Sequence, residues 1–246
     1  SDVTVSGPGI GMTVHSGAQL TLERAVLTDN HDTGLLIFHA GTTVMAAEGL
    51  MHPDFDLQGI GLGLAENADI ALMFLDTPVL DVQPAVLPTL EEAAEITLDA
   101  EVVIVGWGQS IATGQFEQPP AGSIYIKNVA TTHISEIADY EMKIGEEQTD
   151  GRKCHGDSGG PTFLTMSNVD QPVIDRLIGV TSHAYDETDC FETGGVDTRV
   201  DFYLDWIDEE MRKRCEDGTR VWCGVTDDEA GILPVPTFED LEGKKF

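Results

Sequence analysis

The apolar residues of this chain are gathered into short runs that stop at turn residues. Leu35–Phe38, Ile70–Phe74, Val102–Val105, Ser123–Ile126 and Leu177–Thr181 are each four or five residues long and rich in β-branched or large apolar side chains. Runs of that length bounded by Gly, Pro, Asn or Asp read as strands, and their number points to an all-β barrel or sandwich. The 26 Gly and 11 Pro in 246 residues supply the turns such a fold needs. One segment breaks the pattern. Val200, Leu204, Ile207 and Met211 fall on one helical face and predict a helix over 200–214. Asp201 is the expected N-cap, and Arg212, Lys213 and Arg214 sit where the helix dipole favours cations. The stretch 81–99, with Pro84, Pro88 and a run of Glu, reads as a linker between two β halves. Residues 224–246 are acidic and turn-rich and read as an extended tail, with a flexible end weighed against a docking segment.

Charge excludes several functions. The chain has 13 Lys and Arg against 44 Asp and Glu, a formal net charge of −31, and residues 1–126 hold one basic side chain, Arg24. Such a surface repels phosphate backbones and anionic membranes. No apolar run approaches the roughly 18 residues of a membrane span, and no basic-then-apolar leader opens the sequence. The acidity reads either as a solvated, soluble surface or as a calcium site at the carboxylate-rich loop 186–197, for which no ligand spacing stands out. Four cysteines, Cys154, Cys190, Cys215 and Cys223, permit two disulfides and hence an oxidising compartment, secreted or periplasmic. Cys215 and Cys223 enclose a short loop and are expected to pair, which leaves Cys154 with Cys190; the sequence permits other connectivities.

The segment Cys154-His155-Gly156-Asp157-Ser158-Gly159-Gly160-Pro161 carries chemistry. A serine among glycines can present its hydroxyl on a tight turn, and the small neighbours let backbone N–H groups approach a reacting carbonyl oxygen. Those are the needs of a nucleophile with an oxyanion hole; a plain turn would look the same.

This segment resembles the G-D-S-G-G-P motif of the trypsin/chymotrypsin-like serine endopeptidases. Residues 25–32, Ala-Val-Leu-Thr-Asp-Asn-His-Asp, resemble that family's V-L-T-A-A-H-C, and residues 69–72 its D-I-A-L. Gly106-Trp107-Gly108, Gly179-Val180-Thr181-Ser182 and Thr198-Arg199-Val200 resemble further family segments, over about residues 10–214. The resemblance implies two six-stranded antiparallel barrels with a C-terminal helix, no cofactor, and a peptide or protein substrate. It divides the chain into an N-terminal barrel (1–87), a linker (88–100), a C-terminal barrel (101–199), a helix (200–214) and a disulfide loop with acidic tail (215–246). It implies Ser158 as nucleophile, His31 as base, Asp69 as the carboxylate that orients it, and Gly156 and Ser158 N–H groups as oxyanion donors. Ser182 would support Asp69. His52, in a His-Pro pair, would not be the base, and His15, His39 and His133 read as ordinary loop or surface residues.

The departures from the family pattern are as specific as the matches. Asp29 and Asn30 stand where Ala-Ala precedes the base, and Asp32 and Ser16 replace a disulfide pair. No I-V-G-G start is present to send an ammonium to Asp157: either the enzyme does not use that activation and Asp157 takes another partner, for which Arg152, Lys153 and His155 are near in sequence, or the chain is an inactive precursor or a trimmed form. The residue six before the nucleophile, at the pocket base, is Arg152, followed by Lys153. Either Arg152 selects Glu or Asp side chains, or it turns away to Asp157 and leaves a small or apolar preference. Gly195 keeps the opposite pocket wall small. His183 and Ala184 continue the cleft strand, and His183 reads as a second polar contact for an acidic side chain or as a solvent-facing replacement for Trp. A catalytically inactive homologue that binds peptides or proteins is the rival reading.

Overall fold

The computed structural model describes residues 3–6, 25–28, 46–75, 85–111, 120, 122–123, 126–147, 149–166, 174–186 and 190–216. His31, the strand expected at 35–38, Cys223 and the tail lie outside the described residues. Six strands close a barrel in the second half: β5 (Glu101–Gly106), β6 (Asn128–Ile137), β7 (Glu141–Ile144), β8 (Pro161–Met166), β9 (Ile174–Ala184) and β10 (Gly195–Arg199). Their order around the barrel is β10-β7-β6-β5-β8-β9, every pairing antiparallel. Closure leaves no unpaired strand edge.

Alternation fills the interior. Val102 and Ile104 on β5, Leu164 and Met166 on β8, and Ile178 on β9 turn inward to meet Ile134, Met142, Ile144 and Ile96. Each such side chain taken out of water stabilises the fold by about 1.5–3 kcal/mol. In the N-terminal half, β3 (Ala46–Met51) pairs antiparallel with β4 (Ala71–Leu75), and β1 (Val3–Ser6) pairs parallel with β2 (Ala25–Thr28). The parallel pair departs from the antiparallel expectation. It is feasible because residues 7–24 exceed the dozen or so that a crossover needs.

A second apolar cluster joins the two halves. Ala68 and Ile70 pack with Val200, Tyr203, Leu204 and Ile207. After a short helix α1 (Cys190–Thr193), the helix α2 (Leu204–Glu216), entered through a 3-10 turn at Asp201–Tyr203, clamps the segment that carries Asp69. Asp201 is not the helix N-cap. Arg199 lies two residues earlier and takes its carboxylate through Nε and Nη2 at 3.1 and 2.6 Å. The last-turn cations pair with acids, Arg212 with Asp208, Lys213 with Glu209 and Glu210, and Arg214 with Glu210 and Glu48, and Arg214 also donates to the Glu210 carbonyl at 2.7 Å. Among the described residues no helix is long and apolar enough to cross a membrane.

The linker is more than a spacer. Ile96 enters the barrel core, and Glu92, in a short 3-10 turn at Glu92–Glu95, meets Arg176 of β9. The guanidinium donates through Nε at 2.9 Å and Nη2 at 2.6 Å, and both side chains are buried. Near 123–126 the strand begins later than the apolar run suggested, at Asn128, because Ser123 instead closes a turn through the Pro120 carbonyl.

Candidate active site

The loop before β8 is tied at nearly every residue. Asp157 N–H donates to the Cys154 carbonyl at 2.9 Å, and Gly160 N–H to the Asp157 carbonyl at 2.8 Å. Gly156 and Gly159 hold φ of 93° and 76°, a conformation that side chains other than glycine rarely adopt. The turn they bracket lifts the half-buried Ser158 between them. The Gly160 carbonyl accepts from Thr181 N–H, Thr181 Oγ1 and Lys153 Nζ at 3.0, 3.0 and 3.3 Å. Gly159 N–H donates to the Thr181 carbonyl at 2.9 Å.

The next residue on β9 faces the other half of the molecule. Ser182 Oγ donates to Asp69 Oδ2 at 2.7 Å, and Thr198 Oγ1 donates to the Asp69 carbonyl at 2.9 Å. Two consecutive residues, Thr181 and Ser182, therefore tie the Ser158 loop and Asp69 to one strand. His52 is placed elsewhere. Its ring sits edge-on to Tyr203 and Trp206, its Nδ1 accepts from Asp54 N–H, and burial pushes its pKa down.

Asp157 turns away from Ser158 into the barrel wall. Its carboxylate accepts from Gly108 N–H at 2.7 Å and Cys154 N–H at 2.9 Å, with Trp107 N–H as a further donor. A Cβ at Gly106 would collide with Asp157 Oδ1, and one at Gly108 would come within 2.6 Å of it. The Gly-Trp-Gly turn is thus glycine at both ends because a carboxylate lies directly on its backbone.

Lys153 does not point at a substrate. Its ammonium donates to Asp197 Oδ2 at 2.8 Å, with the two side chains 3% and 0% exposed. Thr162 Oγ1 donates to the same Asp197 oxygen at 2.5 Å. Asp197 is therefore a buried residue of β10 already paired with a cation. Among the described residues no group of three or more His, Cys, Asp or Glu gathers as a metal site.

Arg152 is not paired with Asp157. Its Nη1 is buried and has no hydrogen-bond partner among the described residues. Gly151 before it lies against Ala130, and Gly195 is buried on β10 opposite Ala184 of β9. His155 is exposed, and its carbonyl accepts from Gln109 N–H. His183 is not open to a substrate carboxylate. Its Nε2 lies 3.3 Å from Glu141 Oε1 and its Nδ1 2.8 Å from the Ala184 carbonyl. The other Glu141 oxygen accepts from Ala65 N–H at 2.6 Å. Cys154 is disulfide-bonded, while the side chains of Cys190 and Cys215 lie outside the described residues.

Sequence reasoning missed the buried pairings of Asp197 and Glu141. The available signal was a lone carboxylate within a short strand-length segment of a chain poor in cations.

Comparison with known proteins places these residues in a family frame. The Trypsin family model matches residues 38–207, a span that includes Asp69 and Ser158 and begins after His31. The chain is 34% identical over 156 residues to "Serine protease 7" of Drosophila melanogaster, covering 58% of this chain and 38% of that protein. It is 31% identical over 180 residues to "Melanization protease 1" of the same organism, covering 67% and 42%. It is 26% identical over 238 residues to "Proclotting enzyme" of Tachypleus tridentatus, covering 80% and 59%. The chain thus spans less than two thirds of the length of each of these relatives.

Proposed function

This chain belongs to the trypsin family, and from that premise we propose that it is a serine endopeptidase that uses Ser158, His31 and Asp69. The observation that carries the reading is the pair of ties at Thr181 and Ser182. Gly159 N–H holds to Thr181, and Ser182 holds Asp69, so one strand sets the nucleophile loop and the triad carboxylate.

Ser158 Oγ attacks the scissile carbonyl. His31 takes its proton and returns it to the leaving amine, leaving an acyl-enzyme that water then cleaves. Asp69, aimed by Ser182, holds the imidazole in one tautomer and stabilises its cation. The N–H groups of Gly156 and Ser158 receive the developing oxyanion. The positive φ at Gly156 is consistent with an N–H turned toward the cleft.

Arg152 favours cleavage after Glu or Asp. A guanidinium nitrogen buried without a partner among the described residues gains most from an incoming carboxylate, which can accept two parallel N–H bonds. Lys153, held by Asp197, does not share that role. Cys154 with Cys190, and Cys215 with Cys223, are the proposed disulfides, and they fit a secreted or periplasmic enzyme.

The test is a peptide-library digest with Ser158→Ala as control, cleavage sites being read by mass spectrometry. Cuts after Glu and Asp that vanish in the control are expected. Ser158-dependent cuts after other residues would remove the acidic preference and keep the protease. No Ser158-dependent cuts would favour a peptide-binding homologue.

A further inference from the structure

We propose that Glu141 is a positioning residue for the triad carboxylate: from β7 it takes Ala65 N–H on one oxygen and His183 on the other, bracing with one side chain the two segments that meet at the Ser182–Asp69 bond. Glu141 is fully buried and acts on Asp69 only through these neighbours. This rests on the serine endopeptidase reading and adds how its carboxylate is kept in place.

The contacts of Glu141 are the first ground. Its Oε2 accepts at 2.6 Å from Ala65 N–H, four residues before Asp69. Its Oε1 lies 3.3 Å from Nε2 of His183, the residue after Ser182. Ser182 Oγ reaches Asp69 Oδ2 at 2.7 Å. These contacts form a ring in which β7, β9 and the 65–69 segment each hold the other two. The cross-strand neighbour of Glu141 on β10 is Thr198, whose hydroxyl donates to the Asp69 carbonyl. One rung of the barrel thus holds the segment at Ala65 and at Asp69.

The course of that segment is the second ground. Gly63 N–H donates to the Tyr185 carbonyl at 2.6 Å, and the Tyr203 hydroxyl donates to the Asn67 carbonyl at 3.3 Å. Residues 63, 65, 67 and 69 are therefore each tied to the other half of the molecule, and at Ala65 the acceptor is a carboxylate. A buried carboxylate is tolerable only where donors meet it, so Glu141 is bound to its partners as firmly as they are to it. On His183, burial pulls the pKa down, but Glu141 and the Ala184 carbonyl outweigh that and leave it raised; the carboxylates whose charge reaches the ring are Glu141 from β7 and Asp69 from the segment before β4. An imidazolium here donates from both ring nitrogens, to Glu141 and to the Ala184 carbonyl.

The test compares two variants of the full chain. Glu141→Met removes both ties at similar side-chain length. Glu141→Gln keeps an oxygen for Ala65 N–H and offers an amide N–H to a neutral His183. Turnover is counted per active site, titrated with a serine-directed phosphonate, so that any misfolded fraction drops out. Glu141→Met is expected to lower kcat about tenfold or more with KM within about twofold, and Glu141→Gln to stay within about threefold of the native kcat. The acid limb of kcat/KM reports the catalytic base. It is expected at lower pH in Glu141→Met than in Glu141→Gln, because a displaced Asp69 stabilises the imidazolium less. Both variants lack the Glu141 charge, so the difference between them reads position. Equal kcat per site in native protein and both variants, equal losses in the two variants, or coincident acid limbs would overturn the proposal. An ester in place of the Ala65 amide deletes the donor without altering β7, and it keeps the test open if Glu141→Met does not fold. A kcat lowered about threefold or more by the ester supports the brace, and an unchanged kcat overturns it. If the native chain cleaves no peptide, the protease reading fails by itself. The brace is then read from the amide resonances of Asp69 and Ser182. Resonances that move in Glu141→Met and hold in Glu141→Gln support it; resonances that hold in both, or move equally in both, overturn it.

Discussion

Ser182 Oγ donates to Asp69 Oδ2 across 2.7 Å, joining two residues 113 positions apart in the chain. Asp69 sits between Ala68 and Ile70, both buried against α2, so its backbone is held by packing, and this hydroxyl holds its carboxylate. Ser182→Ala removes a hydrogen bond to a charged group, worth about 1.5–3 kcal/mol. The expected outcome is a kcat roughly ten- to a hundredfold lower with KM nearly unchanged. Steady-state kinetics on a cleavable peptide checks it.

Arg152→Gln tests the pocket charge. Removing one partner of a desolvated charge pair costs about 2 kcal/mol or more, roughly thirtyfold in kcat/KM. That loss is expected for substrates with Glu or Asp before the scissile bond. Substrates with a small apolar residue there should hold or gain. Equal losses for both classes would mean that Arg152 supports the fold instead of selecting the substrate.

His183 gives the fold a pH dependence. Burial pulls its pKa down, but the Glu141 carboxylate and the Ala184 carbonyl outweigh that and leave it raised. Both ring nitrogens meet acceptors, so the imidazolium is the form that satisfies both. A His raised in the fold contributes stability that is fully present below its unfolded pKa of about 6.5 and is lost as pH rises through the folded value. The stability gap between the native sequence and His183→Gln should therefore be largest in mildly acidic buffer and shrink as pH rises from about 6.5. Denaturant melts across that range measure it. A gap that widens with pH would contradict the assignment.

Glu92 and Arg176 form a buried bidentate pair between the linker and β9. Burial pushes the Glu92 carboxyl up, but the Arg176 fork and the Thr89 groups outweigh it and hold it below the usual range. Glu92→Ala leaves a guanidinium buried and unpaired, at a cost of about 3–5 kcal/mol. A fall of several degrees in Tm is expected. Exchanging both residues for apolar ones of similar size should recover much of it.

The parts of this fold that sequence shows are those where burial and hydrophobicity coincide. β4, β5, β9 and α2 are apolar at their inward positions and stand out as runs or as a helical face. β6 does not, because an apolar residue, Val129, faces outward while its inward residues include Thr132. β7 and β10 do not either, since they bury Lys143 together with Glu141 and Asp197, two carboxylates whose partners lie far along the chain. The same distance misplaced Lys153. Its neighbour Arg152 and the loop beside it suggested a pocket, while the partner that claims it lies 44 residues later. Asp69 and Ser182 were legible only through resemblance, because nothing local links two residues on separate halves. The stretch 81–99 reads in sequence as a linker between two β halves, and Glu92 shows that one carboxylate in such a run can be structural.

The most direct measurement is the rate and site of phosphonylation by a serine-directed phosphonate, mapped by mass spectrometry. A single adduct on Ser158 is expected, slowed by several orders of magnitude in His31→Gln and by less in Ser182→Ala. No adduct, an adduct on another serine, or equal rates in native protein and His31→Gln would contradict a Ser158–His31–Asp69 active site.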